Sequence, residues 1–423
     1  MTKTIIKNLE CRTVFDSRGV ETLEVDVFTE GGFGRAAAPF GAPGSRGEFE
    51  APDYAPGGVG VALAITESDL IPRLKGQDSA EWEKIDALIK EIDGTPNFSR
   101  IGGNTSTVIS VACAKAAASA LDEPLFKLLN PNGGYSLPFP LGNIIGGGAH
   151  SLGPAPDMQE HLVVPVGATD IKQAVEINLR VHEVAGAILE KRSPGFVGGT
   201  DDENAWVADL NDVEAFEVLE EASAKVSAET GVEIRMGFDL AADRLWDPEQ
   251  KVYRYFREGV VRTPAEQLDF LTDLARRFKF IYLEDGFHSN DYEAFAQLNK
   301  RVGRFGLVCA DDVYASDPER TKVGLSHNAA RAMIIKTNQI GTLSGAAATS
   351  SLAQANDMAT IISHRSGETP DNSIAHQAVA WKGLMIKTGV KGGERLAKLN
   401  ELIRLKRDYP ELQMASWPTL EGY

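Results

Sequence analysis

Residues 3–40 alternate polar and apolar positions in the manner of antiparallel strands, with Gly31-Gly32 suited to the turn between two of them. The period then changes. Residues 59–72, 79–91 and 106–129 carry apolar positions at helical spacing, and the last stretch is Ala-rich, which favours close helix packing. Strands followed by helices predict a smaller α+β domain over residues 1–135, closed by the turn-rich run Asn130-Pro131-Asn132-Gly133-Gly134. From about 137 the pattern is a strand and then a helix, repeatedly, so residues 136–423 are predicted to form an α/β unit of the β/α-barrel class.

The later strands share one property. Each short apolar run stops on a polar group: Met236-Gly237-Phe238 on Asp239, Ile281-Tyr282-Leu283 on Glu284, Leu307-Val308-Cys309-Ala310 on Asp311, Met333-Ile334-Ile335 on Lys336, Ile361-Ile362-Ser363 on His364 and Leu384-Met385-Ile386 on Lys387. Any one of these residues could simply begin a loop. Six in succession, of complementary types, are expected to converge at the C-terminal face of a barrel, where such folds carry their chemistry.

Composition narrows the class. At 423 residues the chain exceeds one average domain, and 43% hydrophobic with 24% charged residues is ordinary for a soluble protein. A net charge of −17 argues against an extended nucleic-acid face but leaves room for an anionic ligand, since a metal ion and a few lysines reverse a local field. Cys11, Cys113 and Cys309 are scattered without a pairing pattern, as expected in a reducing cytoplasm. The N-terminus runs into strand-like sequence rather than an apolar signal core, and no apolar run approaches the roughly 20 residues that span a bilayer, so a cytoplasmic location away from membranes is expected.

Asp239, Glu284 and Asp311 would form a ring of carboxylates whose mutual repulsion needs an answer. One answer is a hard divalent cation, and an all-oxygen set without Cys or His favours Mg²⁺ over zinc. The other is salt-bridging to Lys336 and Lys387. A lysine among cations and a metal has a lowered pKa and becomes a usable base, which is what removal of a proton α to a carboxylate requires. His364-Arg365-Ser366-Gly367-Glu368-Thr369 offers an imidazole, a guanidinium fork and a hydroxyl suited to a phosphate or carboxylate.

At these residues the chain resembles the enolase family. Asp16-Ser17-Arg18-Gly19, Gly147-Gly148-Ala149-His150 with Gln159-Glu160, Ile335-Lys336-Thr337-Asn338-Gln339-Ile340-Gly341-Thr342, the 363–369 stretch, Ile386-Lys387-Thr388-Gly389 and Glu394-Arg395-Leu396-Ala397-Lys398-Leu399-Asn400 carry the match along nearly the whole sequence. The resemblance implies an α+β domain before an eight-stranded β/α barrel of irregular order, usually in homodimers or higher homo-oligomers. It also implies a Mg²⁺-dependent lyase that pairs a lysine base with the metal and eliminates water, as in dehydration of 2-phosphoglycerate. By the same resemblance, Asp239, Glu284 and Asp311 would bind Mg²⁺ and Lys336 would be the base. Lys387 would neutralise the substrate carboxylate, and Glu203, supported by Glu160, would be the acid. Arg365 and Ser366 would hold the phosphate, with His150 and His364 closing over the substrate.

The departures from the family gather around the substrate. Its mobile Gly-Ala-Ser-Thr-Gly loop, whose serine binds a second Mg²⁺, reads Gly41-Ala42-Pro43-Gly44-Ser45-Arg46-Gly47, so Pro43 supplies no hydroxyl and Ser45 or Arg46 would have to act instead. Gly-Asp-Glu-Gly-Gly has become Asp201-Asp202-Glu203-Asn204-Ala205, and Gly146 replaces an asparagine. The loop Ser151–Pro156 is one residue longer, and His376 stands where aspartate is usual. Two further readings follow: a relative such as carboxyphosphonoenolpyruvate synthase, acting on a phosphonylated acid, and a non-catalytic binding protein on the same scaffold.

Overall fold

The computed structural model describes residues 3–41, 49–151 and 153–420. Its first sheet is antiparallel, formed by β1 (Ile6–Phe15), β2 (Glu21–Thr29) and β3 (Phe33–Ala37). Leu23, Val25 and Val27 are buried beneath the helix Gly103–Leu121. The packing is close because both sides are small. A Cβ on Gly34 would overlap the Ala112 carbonyl, and one on Gly32 the Ala116 carbonyl, so glycine here admits a helix backbone. The expected helices at 79–91 and 106–129 appear as Trp82–Asp93 and as two pieces, Gly103–Leu121 and Leu125–Leu129. The break follows from Asp122 in the left-handed region (φ 57°) and from Pro124, which cannot continue a helix.

The second unit is a closed eight-stranded barrel. Its strands are β4 (Phe139–Gly146), β5 (Glu160–Val164) and β6 (Arg235–Asp239), then, after a small sheet of β7 (Trp246–Asp247), β8 (Val252–Tyr255) and β9 (Val260–Arg262), the run β10 (Tyr282–Glu284), β11 (Leu307–Ala310), β12 (Ala332–Ile335), β13 (Ala359–Ser363) and β14 (Met385–Lys387). Around the barrel the order is β10-β11-β12-β13-β14-β4-β5-β6. The expected strand-then-helix repeat fails at the start. β4 and β5 are antiparallel neighbours, β5 also runs antiparallel to β6, and two helices, Ile171–Arg192 and Asp212–Thr230, follow before β6.

Side chains divide by strand period. Leu141, Leu162, Val164, Tyr282, Leu307, Cys309, Ala332, Ile334, Ile361 and Met385 join one interior cluster, while interleaved Val163, Phe238, Leu283, Val308, Met333, Ile335 and Ile386 pack outward against the helices. The base of the barrel is closed by the C-terminal segment. The Leu137 amide donates to the Gln413 carbonyl and the Ala415 amide to Leu137, each at 2.8 Å, and Trp417 stands edge-on to Phe139. At the opposite end the first unit docks onto the barrel. Phe40 and Gly367 exchange backbone hydrogen bonds at 2.7 and 2.8 Å, Ser17 donates to the Glu368 carbonyl at 2.8 Å, and Ala51 donates to the Gln339 carbonyl at 2.9 Å.

Candidate active site at the barrel mouth

The reversed strand β5 has a direct effect on the site. Its first residue, Glu160, lies in register with Asp239, the last residue of β6, so a strand beginning and a strand end share one rim. Lys387, from the end of β14, completes the floor. Its Nζ lies 2.9 Å from Asp239 Oδ2, 2.8 Å from Glu284 Oε2 and 2.9 Å from Glu160 Oε2, with all four residues buried. Burial alone would strip the lysine of its proton, yet Asp239, Glu160 and Glu284 outweigh it and hold the ammonium well above its usual range. The carboxylates remain in excess. Burial, with Asp239 adding, pushes Glu284 up to about 8, and burial raises Glu160 well above a normal carboxyl.

These oxygens fit a hard cation. Glu160, Asp239 and Glu284 each offer an oxygen within 4.8 Å of the others, and Glu284 Oε1 is buried without a hydrogen-bond partner among the described residues. The grouping differs from the expected ring, because Asp311 clusters with Asp285 and Asp312 instead. Asp311 is held by Lys336, whose Nζ donates to its Oδ2, and by Gln339 Nε2 at 3.3 Å. Lys387 thus lies among one set of carboxylates and Lys336 on Asp311.

Lys336 corrects a second expectation. Burial lowers its pKa, as do Arg365 and Lys387, but Asp311 and Asp312 more than reverse this and hold the proton on. The carboxylate bonded to the amine outweighs the neighbouring cations. Behind it, Asp285 accepts from the amides of Asp311 (2.9 Å) and Asp312 (2.8 Å) and fixes the strand end that carries Asp311.

A third cluster gathers Glu203, His150 and His364. His364 Nδ1 accepts from Arg395 Nη1 at 2.7 Å, which leaves Nε2–H directed at Glu203 Oε1, 3.3 Å away. Burial brings His364 down to about 3, so it is a neutral donor. His150 is the charged one. Burial works against protonation, but Glu203 and Asp202, the latter 2.6 Å from Nδ1, raise it to about 9. Burial would also raise Glu203, yet His364 and His150 hold it well below the usual carboxyl range. Glu160 lies near enough to Glu203 for their oxygens to fall within 4.8 Å, so the Glu203 charge adds to the burial that raises Glu160.

On the anion-facing side, Arg365 Nη1 donates to Glu50 Oε2 at 2.8 Å and to Asn338 Oδ1 at 3.2 Å, all three buried. Arg395, fully buried, ties the loop together by donating to the carbonyls of Arg365 (2.7 Å), Ser366 (2.5 Å) and Asp202 (3.1 Å). Ser45 and Arg46, with Pro43, lie outside the described residues. Glu50, Asn338, Asp285 and Asp201 were missed as site residues. Glu50 had no signal, being far away in sequence, whereas Asn338 and Asp285 directly flank residues already singled out.

All three clusters open on one cavity of about 430 Å³, lined by His150, Glu160, Glu203, Asp239, Asp311, Lys336, His364, Arg365, Ser366 and Lys387. In the barrel order, β12 and β5 stand four places apart out of eight, so Lys336 and Glu160 face each other across the mouth. Such a cavity can apply a base to one side of a small acid and a proton donor to the other.

Residues 134–415 match the family model of the enolase C-terminal TIM barrel domain, and residues 6–129 that of the enolase N-terminal domain. A protein named enolase from Methanothermobacter thermautotrophicus is 45% identical over 98% of this chain and 100% of its own length. Proteins of the same name from Halorubrum lacusprofundi (44% identical, 96% of this chain and 99% of the relative) and Pyrobaculum aerophilum (41%, 97% of each) are similar throughout. The matches lend no support to a phosphonate-specific relative or to a non-catalytic scaffold.

Proposed function

The chain belongs to the enolase family, and from that premise we propose that it is a hydro-lyase converting 2-phosphoglycerate to phosphoenolpyruvate. The observation that carries the reading is the placement of Lys336 and the Glu160–Glu203 pair on opposite walls of one cavity. Lys336, as the neutral amine that forms once the pull of Asp311 is relieved, takes the proton from the carbon next to the substrate carboxylate. The Glu203–Glu160 pair gives a proton to the hydroxyl leaving from the next carbon, so the C–O bond breaks and water departs. Arg365 and Ser366 hold the phosphate, and Lys387 faces the substrate carboxylate. His150 and His364 hold Glu203 from two sides.

Asp239 and Glu284, with Asp311 or Glu160, are the residues that would hold a divalent cation, and we assign it as Mg²⁺ from the all-oxygen donors. When bound, the cation supplies positive charge to the carboxylate as negative charge builds on the substrate. We further propose a cytoplasmic homodimer, which sedimentation velocity tests. Among the described residues no helix is long and apolar enough to cross a membrane.

Appearance of the enol double bond in the ultraviolet, with 2-phosphoglycerate and Mg²⁺ supplied, tests the reading. Turnover is expected in the parent, and Lys336→Ala should lose roughly 10³-fold or more in kcat. A parent without turnover, or a Lys336→Ala variant equal to it, would overturn the assignment.

A further inference from the structure

Gly146 and Asp201, one on β4 and one in the turn that carries Glu203, meet in the fold. The segment after the helix Ile171–Arg192 returns along β4. The Gly146 amide donates to the Trp206 carbonyl and the Trp206 amide to Ile144, both at 2.9 Å, and Thr200 bridges Trp206 to close a tight turn. Glu203 sits in that turn. Asp201 Oδ1 accepts from the amides of Glu203 and Ala205, each at 2.9 Å, and the Asp201 amide donates to the Ala205 carbonyl at 2.9 Å. Asn204 takes φ 66°, a left-handed conformation that asparagine tolerates.

The other carboxylate oxygen explains Gly146. Asp201 Oδ2 is buried with no hydrogen-bond partner among the described residues, and a Cβ built on Gly146 would overlap it. Any side chain at 146 and the carboxyl of residue 201 therefore compete for one volume.

We propose that Asp201 is a positioning residue that sets the Glu203 carboxyl through the two turn amides, and that Gly146 and Asp201 form a reciprocal pair in which one side chain fills the space left by the other. The proposal rests on Glu203 acting in proton delivery to the leaving hydroxide. Removing the Asp201 carboxyl deprives the Glu203 and Ala205 amides of their acceptor and lets the turn drift. A displacement of about 1 Å at a catalytic group can cost on the order of 100-fold in rate. Proton removal by Lys336, on the opposite wall, does not pass through this turn.

The experiment uses the full-length enzyme with Mg²⁺ and compares Asp201→Gly, Asp201→Asn, Gly146→Asn, the double variant Gly146→Asn/Asp201→Gly, and Glu203→Gln. Three quantities are read: kcat and KM for dehydration of 2-phosphoglycerate, exchange of its α-proton in D₂O, and the midpoint of thermal unfolding. Asp201→Gly is expected to lose roughly 100-fold in kcat, with KM within about twofold and α-proton exchange within about threefold of the parent. Asp201→Asn, which keeps Oδ1, should recover most of that loss. The double variant should be at least about tenfold more active than either single one.

A kcat for Asp201→Gly within about threefold of the parent would overturn the proposal. So would parallel loss of dehydration and exchange, which marks a merely structural role, or losses that multiply in the double variant. If Gly146→Asn does not fold, the contrast between Asp201→Asn and Asp201→Gly decides alone. An unaffected Glu203→Gln sinks the acid assignment and this proposal together. An impaired Glu203→Gln beside an unaffected Asp201→Gly sinks only the proposal.

Discussion

The Lys387 ammonium is the shared partner of Asp239, Glu284 and Glu160. Lys387→Met leaves those carboxylates facing one another in a buried floor. Breaking such a buried set typically costs about 3–5 kcal/mol. The expected outcome is a clear drop in the thermal midpoint in the presence of chelator, largely restored by added Mg²⁺, which calorimetry would record. A cation that failed to restore stability would argue against these oxygens as its site. His150 gives a pH signature. Against the effect of its burial, Glu203 and Asp202 raise its pKa from 6.5 to about 9. The stabilisation, about 3 kcal/mol at most, is therefore fully present below about pH 6.5 and is lost as pH rises towards 9. Denaturant unfolding should show stability falling across that window in the parent and not in His150→Asn. These residues were legible in the sequence to different degrees. Lys336, Lys387, Asp239 and Glu284 announced themselves as polar stops on apolar strands. The protonation of Lys336 did not, because it depends on a bond to Asp311 that only the packed barrel creates.

β5 shows where element-level reading runs out. Glu160-His161-Leu162-Val163-Val164 is fully buried, and its Leu162-Val163-Val164 run is apolar like the parallel strands, so nothing in that run discloses its direction. Direction is set by the connection. The chain leaves β4 at the rim and re-enters at the rim, and the intervening loop carries His150 and Gln159. Asp157 anchors that loop, accepting from the amides of Phe256 (2.8 Å) and Arg257 (2.9 Å) beside the small sheet β7-β8-β9, while the Met158 amide donates to Asp212 at 2.9 Å. Asp157→Ala is expected to cost about 1–3 kcal/mol locally and to speed hydrogen exchange at the Phe256 and Arg257 amides. KM should rise while the global unfolding midpoint changes little. Unchanged exchange at both amides would sink the tether. The Ala-rich helix Gly103–Leu121, by contrast, could be read in advance, since small residues at helical spacing have few uses other than close approach.

Across the molecule, the first unit completes the site as well as covering it. Glu50 reaches Arg365, and the 366–368 backbone is pinned by Ser17 and Phe40. No periodicity could have paired residues separated by some three hundred positions, which is why the anion side was the least legible part. Glu50→Ala leaves the Arg365 guanidinium buried with Asn338 as its remaining side-chain hydrogen-bond partner among the described residues. Such a truncation costs roughly 2–5 kcal/mol. The variant should accordingly be less stable than the parent and gain a larger thermal shift from inorganic phosphate; an equal shift in both would refute the coupling.

The C-terminal segment that closes the base of the barrel has a consequence for the order in which this chain can be built. Strand β4 waits for β14, some 240 residues downstream, and the interior apolar cluster waits longer still for Met414, Ala415, Trp417 and Leu420. During synthesis the first sheet and its helix can assemble early from neighbouring sequence, whereas the barrel cannot be closed and sealed until β14 and the 414–420 segment have been made. A nascent chain stalled before residue 410 would thus hold its catalytic strands and still lack the segment that seals the barrel's base, leaving its interior apolar cluster open to unwanted association.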